Sequence, residues 1–71
     1  MINVEGRHPS TAHFGKLFDY EHLTRDDMRA VSKGSHDLAA AMIDALPDGP
    51  ELFAGLRKLV EAKDCFVRAL L

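Results

Sequence analysis

The chain has 71 residues, of which 46% are hydrophobic, with a formal net charge of −2 and one cysteine. That length gives a single small domain with a modest core, and one cysteine excludes an intrachain disulfide. The slight acidity argues against extended duplex nucleic-acid binding, which shows as a basic excess, and no apolar run is long enough to span a bilayer.

In chain order, residues 1–12 are mixed and polar, with Gly6, Pro9, Ser10 and Thr11. They read as an N-terminal arm or latch outside a helical domain spanning residues 13–71. Residues 13–18 suit a single helical turn, with Phe14, Leu17 and Phe18 on one side, able to plug the end of a hairpin core. The first long helix is predicted to follow Thr24, whose hydroxyl can cap the first turn. Asp26 and Asp27 then meet the positive end of the helix dipole, and Leu23 can staple onto Met28. The apolar positions Met28, Val31, Leu38, Met42 and Leu46 predict its buried stripe, interrupted by Ser35. Gly34 costs about 1 kcal/mol relative to alanine in a helix interior, which points to close packing or a ligand there. Pro47-Asp48-Gly49-Pro50 ends this helix, and Gly49, Pro50 and Glu51 suit the start of the next.

The second long helix carries two adjoining apolar stripes. One is Leu52, Leu56, Leu59, Phe66 and Leu70, and the other is Phe53, Val60, Val67 and Leu71. One stripe serves one neighbour. Two need more surface than so short a chain supplies, so a homo-oligomer is expected. Cys65 in this apolar setting reads as a small buried hydrophobe in a reducing compartment. No signal-peptide pattern is present, and cytoplasmic residence is the expectation. The predicted fold class is all-α: a short N-terminal segment and an antiparallel helical hairpin.

Catalytic signatures are lacking. Ser32, Ser35 and Cys65 have no sequence-local base, and His8, His13, His22 and His36 show no metal-ligand spacing. A non-enzymatic protein without cofactor or metal is therefore expected. The cations are more informative. Arg29, Lys33 and His36 share one helix face at intervals of four and three, behind Phe18-Asp19-Tyr20-Glu21-His22. Arg57, Lys58, Lys63 and Arg68 line the second helix. An aromatic ring beside cations can stack a base while the cations hold phosphate. The competing view is that the rings plug the hairpin end and the charges form a solvated face.

Tyr20-Glu21-His22-Leu23-Thr24, a helix, a short break, and a second helix ending Phe66-Val67-Arg68-Ala69 together resemble phage anti-CBASS sponge proteins. The resemblance covers residues 17–71. It implies a compact homo-oligomer, a hexamer in typical members, that sequesters cyclic di- and trinucleotide signals of bacterial antiphage defence without cleaving them. It also implies the bacterial host cytoplasm as the location if the chain is phage-encoded. In that family an aromatic ahead of the first long helix and a lysine within it grip the dinucleotide. Some members also hold cyclic trinucleotides at a separate site, through a hydroxyl on the first helix and an arginine near the end of the last. If the aromatic is Tyr20, the lysine position falls on Ser35 and the hydroxyl position on Asp37. If it is Phe18, they fall on Lys33 and Ser35. Arg68 fits the terminal arginine in both registers. The alternatives are a helical protein–protein interaction module, such as a small phage or bacterial regulator, and an oligomeric phosphodiesterase-like enzyme.

Overall fold

A computed structural model describes all 71 residues and contains three helices and no strand: α1 (Pro9–Lys16), α2 (Asp26–Ala45) and α3 (Pro50–Arg68). The all-α class is as expected. The four residues between α2 and α3 force a reversal, and Arg25 Nη2 donates to the Leu70 carbonyl at 3.3 Å, so the start of α2 meets the end of α3. The hairpin is therefore antiparallel. The first helix runs alongside α3 in the same direction. His8 packs on Phe53 at one end (ring centroids 5.0 Å apart), and Lys63 Nζ reaches the Leu17 carbonyl at the other (2.9 Å).

Two starts and one stripe differ from the sequence expectation. The first helix begins at Pro9, where proline loses no helix bond, and His8 Nδ1 accepts from Ser10 N at 3.0 Å as its cap. The N-cap of α2 is Arg25 and not Thr24, and no side chain caps it. Instead Asp27 Oδ1 accepts from Met28 N (2.8 Å). The inner face of α2 is Ser32, Ser35, Ala39 and Ile43, whereas Leu38, Met42 and Leu46 are exposed. Small residues let the neighbouring segments approach closely, and the large ones are rotated outward. Gly34 has no other part of the chain within 4 Å of a Cβ built on it. The third helix starts as the sequence predicts, with Gly49 at the N-cap, Pro50 at the first turn and Glu51 next to it.

The core is Ile2, Phe18, Ala39, Ile43, Leu52 and Leu56, with Val4, Phe14, Ala40, Leu59 and Val60 packed against it. Phe14 and Phe18 turn inward as expected, but Leu17 is exposed. The arm is a latch. Ile2 is buried, and Val4 Cγ1 lies 3.0 Å from where a Gly15 Cβ would be, so glycine is what lets the strap lie flat on α1. Gly6 turns the chain at φ +74°, a region that favours glycine. Arg7 then donates to the last carbonyls of α2, at Ile43 and at Leu46 (2.7 Å). These are acceptors left unpaired at a helix end. Asp48 completes the closure. It accepts from Thr11 Oγ1 (2.6 Å), His8 N (3.0 Å) and Arg7 Nε (3.1 Å). The Thr11 hydroxyl above all, then the His8 N–H and the Arg7 guanidinium, hold the Asp48 carboxyl below its ordinary range.

Candidate functional site

Tyr20 sits in the link between α1 and α2 and is half-buried. Its ring meets the His36 imidazole edge-on, with centroids 5.1 Å apart, and the Arg29 guanidinium carbon lies 5.7 Å from the ring centroid. Arg29 is itself fixed, because Nη1 donates to the carbonyls of Glu21 (2.8 Å) and Leu23 (2.9 Å). The shared helix face seen in the sequence thus gathers two of its three residues, Arg29 and His36, around one aromatic ring. The third, Lys33, pairs with Asp37 Oδ2 at 2.7 Å, and Asp37 Oδ1 also engages His36 Nδ1 at 3.1 Å. The hydrogen bond to Asp37 raises the Lys33 pKa and, reciprocally, the one from Lys33 lowers that of Asp37. Lys33 remains exposed and charged, one helical turn from Arg29 and within electrostatic reach of Tyr20. His36 Nε2 is buried with no partner.

The two aromatic candidates are placed very differently. Phe18 is 0% exposed and is the largest fully buried side chain, so in the folded chain it offers no ring face to a ligand. Tyr20 does. Ser35 is on the inner face of α2 and only 9% exposed.

Arg68 lies elsewhere, at the end of α3, where a cation complements the helix dipole. Its Nη2 is 3.3 Å from Cys65 Sγ, and both residues are exposed, so Cys65 is not the buried hydrophobe expected from the sequence. Arg68 borders a mixed pocket of about 460 Å³, where Lys16, Asp19, His22, Ser32, Lys63 and Asp64 alternate with Leu17, Leu23 and Val67. Tyr20, Lys33 and Ser35 do not line it, so Arg68 and the Tyr20 cluster form two separate surfaces. Sequence reasoning missed Lys16 and Asp19 here. Neither has a helix-face partner in the sequence, and they join Arg68 only because α1 runs beside α3. A third surface is an open apolar groove of about 770 Å³ between α2 and α3, lined by Leu38, Met42, Leu46, Leu52, Leu59 and Ala62 among others.

No family model matches the sequence, and neither the curated proteins nor the solved structures contain a match. No group of three or more His, Cys, Asp or Glu side chains is placed to hold a metal ion. No helix is long and apolar enough to cross a membrane.

Proposed function

We propose that the chain binds cyclic oligonucleotides and sequesters them, uncleaved, as a homo-oligomer of the kind that blunts antiphage signalling in bacteria. The observation that carries this reading is the Tyr20 cluster. A half-buried aromatic ring lies against a fixed guanidinium and an imidazole, with the Lys33 ammonium, paired to Asp37, a turn away. A cyclic dinucleotide presents two flat bases and two phosphates. Ring and cations match those needs without a strongly basic chain, since symmetric copies multiply a few cations. The burial of Phe18 favours Tyr20 as the stacking residue; the lysine position of that register is the buried Ser35, so the cation offered beside the ring is Lys33, two positions away from it. The Arg68 pocket is the counterpart for a cyclic trinucleotide, because a guanidinium can take phosphate through two parallel hydrogen bonds.

The apolar groove and the exposed Phe66 support assembly of copies, with ligand enclosed between subunits. The same groove supports a second reading, a helical module that seats an apolar partner helix. Isothermal titration with cyclic di- and trinucleotides separates the two. Binding with recovery of intact nucleotide after denaturation supports sequestration, recovery of linear products would make the protein an enzyme, and no binding would leave the helical module.

A further inference from the structure

The pocket at the open end of the hairpin is lined in part by a carboxylate that makes no side-chain hydrogen bond or ion pair inside the chain. Asp19 follows α1, and its Oδ1 is buried without a hydrogen-bond partner. A buried acceptor of this kind is costly to leave unmet. The cations nearby do not pair with it. Lys63 is committed to the Leu17 carbonyl (2.9 Å) and to Asp64 (3.1 Å). The terminal ammonium feels the charge of Asp19 but bonds Glu21 at 2.9 Å. Lys16 and Arg68 stand exposed at the pocket's edge, and neither forms an ion pair.

One pocket therefore offers cations for an anion and a carboxylate for N–H donors. A nucleotide carries both. Among the common bases, guanine presents two neighbouring donors on one edge, N1–H and the N2 amine, spaced to meet the two oxygens of a carboxylate. Adenine and cytosine set a ring acceptor beside their amine, which the carboxylate repels. Uracil sets its single N–H between two carbonyls. Asp19 lines the pocket, and because the terminal torsion of an aspartate is broad, a bound base edge can be met by rotating the carboxylate out of its buried setting.

We infer that Asp19 makes the Arg68 pocket a guanine-selecting subsite, with the carboxylate on the base edge and Arg68 and Lys16 on the phosphate. This rests on the reading of Arg68 as a phosphate-holding residue in a cyclic-oligonucleotide binder. The test is calorimetric titration of the full chain with three cyclic trinucleotides of identical backbone: one with two adenines and a guanine, one with hypoxanthine in place of the guanine, and one with adenine only. A bidentate base contact corresponds to a preference of about 5- to 150-fold. The guanine ligand is expected to exceed the adenine ligand by that factor. Hypoxanthine, which lacks the N2 amine, should fall between them. In Asp19→Asn the guanine-to-adenine ratio should drop to near one. Equal binding of the three ligands overturns the guanine assignment and leaves sequestration standing. So does hypoxanthine binding as tightly as guanine, or a ratio that survives in Asp19→Asn. If none of the three binds, both the subsite and the trinucleotide reading of Arg68 fall. Should Asp19→Asn fail to fold by circular dichroism, the three-ligand series on the unaltered protein decides the matter alone.

Discussion

Replacing Phe18 with alanine separates a core role from a ligand-stacking role. The side chain is 0% exposed and belongs to a core of only six buried hydrophobic residues. Removing a buried phenylalanine costs about 3–5 kcal/mol, transfer and cavity together. At about 0.05–0.15 kcal/mol per residue, a chain of 71 residues has about 4–11 kcal/mol to lose. Phe18→Ala is therefore expected to remove between about a quarter and all of the folding stability. With a urea dependence of about 1 kcal/mol per molar, the midpoint should fall by about 3 M or more. Far-ultraviolet circular dichroism during urea titration, at fixed protein concentration, reads this directly. A variant that keeps the wild-type midpoint but loses dinucleotide binding would refute the core assignment and return Phe18 to the binding surface.

Four further outcomes follow from the same structure. Tyr20→Ala should keep the fold and weaken cyclic dinucleotide binding about tenfold, since base–aromatic stacking is worth about 1–3 kcal/mol. Unchanged affinity in calorimetry would remove the stacking role. Lys33→Ala should leave the melting temperature almost unchanged, because an exposed ion pair contributes little, yet weaken the same ligand. Gly34→Ala should raise stability by about 1 kcal/mol, given the open space around that position, whereas Gly15→Ala should gain less, because its methyl would meet Val4 Cγ1 at 3.0 Å and the strap must shift to admit it. Thr11→Val deletes the hydroxyl that most depresses the Asp48 pKa, so it should melt earlier than wild type at neutral pH. A depressed carboxylate stabilises the fold above its ordinary value of 3.8, and that contribution is lost as pH falls through the lower folded value. The gap between Thr11→Val and wild type should thus close in acid, and a gap independent of pH would argue against Asp48 as the latch acceptor.

Local chemistry wrote the helix boundaries at the hairpin turn. Pro47 follows the extended C-cap Leu46 where one helix stops, and Gly49, Pro50 and Glu51 start the next through backbone geometry and dipole alone, as the structure shows. The all-helical class follows from the same periodic spacing, as does the gathering of Arg29 and His36 on one face. What the sequence left open is which side of an amphipathic helix faces inward. Apolar periodicity nominated Leu38, Met42 and Leu46 for the core of α2, but the strap and α1 compete for that helix, and a close approach favours Ser35, Ala39 and Ile43 instead. A hydropathy stripe records that a surface avoids water, not whether the same chain or a second copy covers it. The choice between Phe18 and Tyr20 is of the same kind. Two residues apart in sequence, one enters the core and the other stays at the surface, and only the path of α1 beside α3 decides which. The Asp19 pocket depends on that path entirely, because Lys16 and Arg68 are 52 positions apart (68 minus 16) and become neighbours only when the first helix lies alongside the last.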